Sequence, residues 1–270
     1  ALKYCFENGS DVESRAGKVR KNFGFQMRFD LQNGFPAMTT KKLAWKSVVS
    51  ELLWFLEGSD DERRLAEILY EDKRENLKDK KTIWTQNANS NYWKDKAKFE
   101  GDVGRIYGVQ WRDFNGVDQV KNLIKGIKSD PNGRRHILSA WNPAELHLMS
   151  LPPCHAFSQF YVSKKKISCQ LYQRSCDMFL GVPFNIASYS LFLHLLAAEC
   201  SLEVGEFILT LGDYHIYHEH FEAVKEQISR EPKDLPNLAF NKKNIFDYSL
   251  RDFTLENYDP HPTIKAKMNI

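Results

Sequence analysis

The sequence of 270 residues lacks the features that mark secreted, zinc-binding and membrane proteins. Its five cysteines are an odd number and include no Cys-x-x-Cys pair, so neither a disulfide framework nor a zinc ribbon is indicated. No apolar run reaches the roughly 18 residues of a membrane helix. Residues Ala1–Tyr4 lack the apolar segment of a signal peptide. We expect a cytoplasmic protein without a metal and without a membrane partner.

An excess of one charge is also absent. The chain has 38 basic and 35 acidic residues, which gives a formal net charge of +3. This balance argues against dedicated nucleic-acid binding but permits a local basic pocket for a small anion. Hydrophobic residues make up 42% of the chain and aromatic residues 13%, enough for a packed core. Because no repeat, low-complexity tract or linker is found, we predict one domain over residues 1–270.

Apolar spacing predicts helices and strands that are interspersed without a strict βαβ rhythm. Residues 44–57 predict an amphipathic helix that Gly58 ends, and Pro183 opens the most apolar segment, a buried helix through Cys200. Further helices are predicted at 117–129 and 220–230, and strands at 136–141, 156–162, 167–174 and 206–210.

Residues 59–104 are charged and weakly periodic, which predicts short helices, loops and family-specific insertions. The two strands at 156–162 and 167–174 are close enough to form a hairpin. We therefore expect an α+β fold, in which a mixed, mostly antiparallel sheet is packed with helices around one long buried central helix.

Cys154 follows two prolines in the segment Leu151–His155. The prolines fix the backbone and exclude a regular helix or a central strand at this point. A cysteine on a rigid bend beside a histidine can act as a nucleophile, because thiolate formation needs a positive or hydrogen-bonding neighbour. A buried core cysteine after a proline turn explains the same pattern. On this motif alone both interpretations stay open.

Glu51 lies on the apolar stripe of the predicted helix, near Val48, Trp54 and Phe55. A carboxylate in apolar surroundings is costly unless it is paired or functional. A buried ion pair and a functional acid therefore both remain open for this position.

Two arginine groups could bind a phosphate, since the guanidinium offers paired donors to phosphate oxygens. They are Arg134-Arg135, after a turn, and Arg174, which ends a strand beside Ser175. Surface charge is the ordinary explanation for such pairs. Three histidines have ligand-like spacing, but no cysteine or acidic residue completes a zinc site, so polar contacts are the expected role of His215, His218 and His220.

Seven motifs follow one another along the chain. They are Phe35–Lys41 (FPAMTTK), Glu51–Leu56 (ELLWFL), Tyr107–Arg112 (YGVQWR), Leu151–His155 (LPPCH), Gln170–Ser175 (QLYQRS), Pro183–Tyr189 (PFNIASY) and His215–Tyr217 (HIY). Together they resemble the thymidylate synthase family, from about Phe23 to Ile270. One such motif can arise by chance, but the whole series in one order does not.

The resemblance implies one-carbon transfer to C5 of dUMP, with 5,10-methylenetetrahydrofolate as cosubstrate and no metal. Cys154 would add to ring C6 and form an enolate that attacks through C5. Glu51 would organise water and proton transfer, Tyr107 would assist removal of the C5 proton, and His155 would support the thiol. The Asn185 amide offers both a donor and an acceptor, so it would read O4 and N3–H of uracil and select dUMP over dCMP.

The resemblance also implies the binding residues. The nucleotide would be held by Arg15, Arg134, Arg135, Gln173, Arg174, Ser175, Asp177, Asn185, His215 and Tyr217. In this assignment Arg134 and Arg135 come from the second subunit of a homodimer, and His215 and Tyr217 bond the sugar 3′-hydroxyl. Folate would contact Lys41, Ile83, Trp84, Asn87, Leu151, Asp177, Gly181, Phe184 and Asn269.

Three positions depart from the family pattern, and all bear on closure over folate. The phosphate loop usually reads DRTGTGT, whereas residues 14–20 read SRAGKVR; Thr85 replaces an aspartate and Asn269 an alanine. If looser closure admitted water, 5-hydroxymethyl-dUMP would form instead of dTMP. A deoxyuridylate hydroxymethylase is therefore the alternative to thymidylate synthase. A catalytically inactive RNA-binding module is a third hypothesis, opposed by the intact candidate site.

Overall fold

The structure, a computed structural model, describes residues 1–267. In this range the α-helices are α1 (Leu2–Asn8), α2 (Trp45–Glu57), α3 (Glu62–Tyr70), α4 (Thr85–Ala88), α5 (Tyr107–Arg112), α6 (Gln119–Ser129), α7 (Gly181–Cys200) and α8 (Phe221–Ser229). The strands are β1 (Ser10–Ser14), β2 (Gly17–Asp30), β3 (Ile137–Ser139), β4 (His155–Ser163), β5 (Lys166–Asp177), β6 (Glu203–Tyr217), β7 (Asn237–Ala239) and β8 (Thr254–Glu256). Short 3-10 helices lie at Leu31–Asn33, Arg74–Asn76, Leu146–Leu148, His218–His220 and Leu250–Asp252.

Six strands form one sheet in the order β1-β2-β6-β5-β4-β3. Neighbours pair antiparallel except β5 and β6, which run parallel, so the mixed, mostly antiparallel sheet is confirmed. The predicted hairpin is β4–β5. It turns at Lys164 and Lys165, whose φ values of 50° and 61° fit the tight turn that matches strand twist.

Helix α7 is the predicted central helix. It packs against β5 and β6 on one side and against α2 and α6 on the others. Its apolar residues lie on all faces, and Phe192, Leu193 and Leu195 have no exposed surface. By length and composition α7 could cross a membrane, but 72% of its apolar window is buried inside the protein.

Helix α2 carries Glu51 into the core. The predicted helix over residues 44–57 is confirmed, and Gly58 ends it with a left-handed φ of 73°. Every residue from Val48 to Leu56 is buried, so the whole middle of the helix faces protein rather than water. Position 51 therefore holds its carboxyl group in low-dielectric surroundings.

The structure extends one predicted strand and places the predicted phosphate loop in a hairpin. The strand predicted at 206–210 is present and extends over Glu203–Tyr217, and residues 14–20 lie across the end of β1 and the start of β2. Arg15 and Ala16 form the turn of the β1–β2 hairpin, and Val19 pairs with Tyr217. Charged residues alternate through this part of β2 and conceal its strand character in a hydrophobicity pattern.

Gly104 supports the loop that enters α5, and it provides a test of the packing. Its φ is +72°, and an added Cβ would lie 2.2 Å from the carbonyl oxygen of Leu148. We expect Gly104→Ala to lower the free energy of unfolding by about 2–4 kcal/mol. Gly116 has a φ of +85° but nothing within 4 Å, so Gly116→Ala should cost about 1 kcal/mol. Urea unfolding of both variants measures the difference; equal losses would show that crowding at Gly104 is unimportant.

Candidate active site

Arg174 holds the bend that carries Cys154. The Arg174 backbone N–H donates to the Cys154 carbonyl at 2.8 Å. Its Nε donates to the Pro153 carbonyl at 2.8 Å, and its Nη2 donates to the Pro152 carbonyl at 2.7 Å. A proline segment cannot enter a regular ladder, so these carbonyls need such partners. The half-buried Cys154 side chain is thereby fixed at the start of β4.

The charge nearest the thiol comes from arginine rather than histidine. Burial raises the pKa of Cys154, while the Arg174 guanidinium and hydrogen bonds with Tyr107 and Ser175 oppose that shift. Burial also lowers the pKa of His155 to about 3, so this ring is neutral near pH 7. The guanidinium is therefore the neighbour that favours the thiolate.

His155 acts in this structure as a packing partner. Its Nδ1 is 2.9 Å from the Tyr189 hydroxyl, and its ring stacks on Tyr107 with 4.0 Å between ring centres. The Tyr107 hydroxyl in turn accepts a hydrogen bond from the Cys154 backbone N–H at 2.7 Å. The tyrosine hydroxyl is thus held beside Cys154 by a neutral aromatic stack.

Glu51 forms the second wall of the site. Its Oε1 accepts a hydrogen bond from Trp84 Nε1 at 2.7 Å, and Trp84 meets Tyr107 edge-on. Burial raises the pKa of Glu51 to about 7, although the indole hydrogen bond opposes this. No cation pairs with Glu51 within residues 1–267, so the ion-pair interpretation fails. A carboxyl group with this pKa can gain and lose a proton near neutral pH.

The Asn185 amide lies at the start of α7, next to β5. Its Oδ1 accepts a hydrogen bond from Gln173 Nε2 at 3.0 Å, and the same nitrogen donates to the Ser175 carbonyl at 3.1 Å. An amide oxygen has two lone pairs, so Asn185 keeps both an acceptor and its NH₂ donors for a ligand. The buried Gln173 Oε1 has no partner among residues 1–267 and is a further acceptor. This end of the site suits a planar amide-like ring edge.

The adjoining ends of β5 and β6 bring Asp177, His215 and Tyr217 together. Asp177 is the register partner of His215, and the His215 ring meets Tyr217 edge-on at 5.4 Å. Burial, with the nearby Asp177 and Cys154, raises the pKa of Tyr217 to about 12, and Arg15 opposes this shift. The exposed Arg15 therefore lies within electrostatic reach of the same place.

The residues predicted to contact folate lie around the entry to α7 and the α2–α4 wall. Lys41 is buried, donates to the Phe179 carbonyl, and lies 3.5 Å from the centre of that ring. Burial lowers the pKa of Lys41 to about 8, opposed by Asp177. The Asp177 carboxylate accepts hydrogen bonds from the backbone N–H groups of Phe179 and Leu180, which shape the turn into α7.

The other predicted folate contacts border this region. Gly181 and Phe184 lie in the first turns of α7, and Leu151 precedes the proline bend. Ile83 and Glu51 line a cavity of about 250 Å³. Asn87 is buried, and its Nδ2 has no partner in the described part of the chain. Asn269 lies outside the described residues.

Thr85 belongs to a buried network behind Trp84. Its hydroxyl donates to Glu62 Oε1 at 2.6 Å and accepts from Arg63 Nη2 at 3.3 Å. Glu62 and Arg63 form a buried ion pair of 2.5 Å. Thr85, which stands where the family has aspartate, is therefore fully hydrogen-bonded. Trp84 keeps its contact with Glu51.

The structure does not bring Arg134 and Arg135 to Cys154 of the same chain. Both are exposed. The backbone carbonyl of the next residue, His136, accepts a hydrogen bond from the Phe160 N–H. Phe160 is six residues along β4 from Cys154, a distance of about 20 Å at strand spacing. An arginine side chain does not span that distance.

The histidine cluster is likewise dispersed. His215 ends up on β6, and His218 begins a 3-10 helix. His220 is buried, and its Nε2 is 2.7 Å from the Lys267 carbonyl. Among residues 1–267 no group of three His, Cys, Asp or Glu side chains could hold a metal ion.

Three residues of this site, Tyr189, Asp213 and Lys21, were not predicted from the sequence. Tyr189 pairs with His155, and Asp213 contacts both His215 and Lys21. Asp213 is two residues before His215, so the period of two along a strand would have placed both on one face. The prediction missed this because it ended the strand at residue 210.

Two comparisons with known proteins agree with this geometry. The family model described as thymidylate synthase matches residues 1–270. A thymidylate synthase of Francisella philomiragia is 48% identical over 287 aligned residues, which cover 100% of this chain and 97% of that protein.

The buried carboxyl of Glu51 predicts a pH-dependent stability. Its pKa is raised from the ordinary 4.5 to about 7, so the folded protein keeps a proton that the unfolded chain loses between these values. Stability should therefore fall across this window, by about 1.4 kcal/mol per pH unit. Glu51→Gln cannot ionise. As pH rises from 4.5 to 7, we expect the free energy of unfolding of this variant to rise by about 2–3 kcal/mol relative to that of the unsubstituted protein.

Urea unfolding of both proteins across that range measures the effect. Trp84→Phe removes the donor that favours the ionised carboxylate, so it should extend the fall in stability to higher pH. A difference between Glu51→Gln and the unsubstituted protein that stays constant with pH would contradict the burial argument.

Proposed function

Because this chain belongs to the thymidylate synthase family, we propose that it transfers one carbon from 5,10-methylenetetrahydrofolate to C5 of dUMP, giving dTMP and dihydrofolate. The observation that carries this proposal is Cys154, held by Arg174 beside the Tyr107 hydroxyl. The name of the Francisella relative supports the methyl product over the hydroxymethyl alternative. The assembled site is also the argument against an inactive RNA-binding module.

The first step is addition of the Cys154 sulfur to C6 of the uracil ring. The C5–C6 double bond breaks, and its electron pair forms an enolate over C5, C4 and O4. Arg174 stabilises the thiolate that attacks, and the Asn185 NH₂ donates to O4, where negative charge grows. Asn185 Oδ1 accepts from N3–H, which distinguishes uracil from cytosine.

The later steps need proton transfer and exclusion of water. The folate cosubstrate supplies the carbon and then the hydride that completes the methyl group. Glu51, with its pKa near 7, moves protons through water at the ring carbonyl, and the Tyr107 hydroxyl assists loss of the C5 proton. Trp84 shields the ring from bulk water while Cys154 is released from C6.

The residues around α7 and α4 fit folate. Asn87 Nδ2 is a buried donor without a partner within residues 1–267, and Asp177 combines with Lys41 to present an acceptor and a cation. We assign the pterin to Asp177, with Trp84 and Phe184 as stacking surfaces. The remaining contacts are Lys41, Ile83, Asn87, Leu151, Gly181 and Asn269.

The nucleotide phosphate and sugar are assigned to the ends of β5 and β6. Arg174 uses Nε and Nη2 for the proline carbonyls, which leaves Nη1 for a phosphate oxygen. Ser175 and Arg15 complete the phosphate contacts within this chain. His215 and Tyr217 are assigned to the sugar 3′-hydroxyl, and Gln173 and His155 to support of the ring and thiol.

A homodimer accounts for the distant Arg134-Arg135 pair. Strands of the sheet expose aromatic side chains, namely Phe23 (80%) on β2, and Phe157 (41%) and Tyr161 (64%) on one face of β4. Exposed aromatic surface of this kind is typical of an interface. Gln159 of the same face bonds the Arg134 carbonyl, so the pair lies at the edge of that surface. Docking of two copies across the sheet would carry each pair into the other copy's site.

We also assign the protein to the cytoplasm as a single catalytic domain. All five cysteines are free, which suits a reducing compartment. One hydrophobic core unites α2, α7 and the sheet, which supports one domain. Family-specific insertion at 59–104 is part of the same proposal.

Substitution of Cys154 tests the covalent step. An alcohol is a far poorer nucleophile than a thiolate, so Cys154→Ser should lose at least about 1,000-fold in kcat with dUMP binding largely retained. With 5-fluoro-dUMP and methylenetetrahydrofolate, intact-protein mass spectrometry should show an adduct on the unsubstituted protein but not on Cys154→Ser. Cys200→Ser, at a half-buried free cysteine elsewhere, is the control and should form the adduct. An active serine variant would refute the chemistry.

Mixed dimers test the shared site. Cys154→Ala and the double variant Arg134→Ala/Arg135→Ala should each be inactive. If the pair crosses the interface, one site of each mixed dimer is intact, and a refolded equimolar mixture should recover about one quarter of full activity. Each variant refolded alone is the control. No recovery, despite mixed dimers seen by native mass spectrometry, would show that the pair acts within its own chain, and an active double variant would show that the pair is not needed.

A further inference from the structure

Three side chains meet at the ends of β2 and β6, beside the assigned sugar site. Lys21 is the register partner of His215, and its Nζ lies 2.8 Å from Asp213 Oδ2. The other carboxylate oxygen, Oδ1, lies 3.1 Å from His215 Nδ1. Asp213 therefore gives one oxygen to the lysine and the other to the imidazole.

This arrangement fixes which ring nitrogen of His215 carries the proton that faces Asp213. An ionised carboxylate can only accept hydrogen bonds, so the ring must donate from Nδ1. Nε2 is then a bare acceptor, and it makes no hydrogen bond to residues 1–267. Lys21 supplies the counter-charge for Asp213, so the three side chains form a balanced group.

Fold stability does not explain the group well. The side chains of Lys21 and Asp213 are 39% and 36% exposed, and ion pairs at such exposure contribute little. A second ion pair links the same two strands, Arg28 with Glu206 at 2.9 Å, and is similarly exposed. Only the pair at Asp213 touches a residue of the assigned site.

We propose that Asp213, balanced by Lys21, positions His215 as an acceptor and makes the enzyme select nucleotides with a free 3′-hydroxyl. This inference rests on the proposed function, in which His215 meets the sugar. A 3′-hydroxyl has a proton to donate to Nε2. A 3′-deoxy or 3′-phosphorylated sugar has none, so it leaves the acceptor unpaired. Asp213 is thus a positioning residue that sets sugar specificity.

The test compares two substrates that differ only in that hydroxyl, dUMP and 2′,3′-dideoxyuridine 5′-monophosphate. We expect Asp213→Ala to reduce kcat/KM for dUMP about tenfold, mainly through KM, and to change the value for the dideoxy nucleotide less than about threefold. Lys21→Met should act in the same direction with a smaller effect. Glu206→Gln is the matched carboxylate on the same strand and should change neither substrate.

His215→Ala separates the two levels of the proposal. It should lower the ratio of kcat/KM for dUMP to kcat/KM for the dideoxy nucleotide at least as much as Asp213→Ala does. If His215→Ala affects both substrates equally, the assigned sugar contact itself is wrong. If His215→Ala narrows the preference but Asp213→Ala does not, the positioning role of Asp213 is wrong and the sugar contact stands. Equal losses for both substrates in Asp213→Ala would likewise overturn the positioning role.

Discussion

One guanidinium holds the reactive part of this protein in place. Arg174 bonds two consecutive proline carbonyls through its side chain and the Cys154 carbonyl through its backbone, so a segment unable to join a ladder is still anchored to β5. The same group is the positive charge nearest the sulfur. The position of Cys154 and, in the proposed mechanism, its reactivity therefore depend on one side chain, whose remaining N–H groups are assigned to an anionic substrate.

The surroundings of that group explain why the site is built in apolar protein. Glu51 sits in the buried middle of α2 with one indole as its partner, which costs stability but keeps its pKa near 7. Neutral His155, stacked between aromatic rings, holds Tyr107 against the cysteine without adding charge. The candidate site thus places its positive charge at Arg174 and the proposed proton exchange at Glu51, with Tyr107 between the two groups.

Sequence periodicity predicted the elements that bury apolar surface. Helix α2 with its Gly58 end, helix α7 after Pro183 and the β4–β5 hairpin follow from side-chain spacing and turn residues. Periodicity failed where a strand carries polar residues at its exposed positions, as in β2. It also missed the extension of β6, the partner of β2, that carries Asp213. Spacing also could not reveal that Arg134 lies far from Cys154, because that distance depends on strand register. The motifs named the residues that we propose to react, while their partners, such as Tyr189 and Lys21, required three-dimensional contacts.

We propose that the carbon added at C5 ends as a methyl group on the product nucleotide. A single reaction of the protein with dUMP and methylenetetrahydrofolate, read by nucleotide mass and by folate oxidation state, tests it directly. We expect dTMP and one dihydrofolate for each nucleotide converted. A product with the mass of 5-hydroxymethyl-dUMP, formed without dihydrofolate, would contradict it and show that water reaches the intermediate behind Trp84.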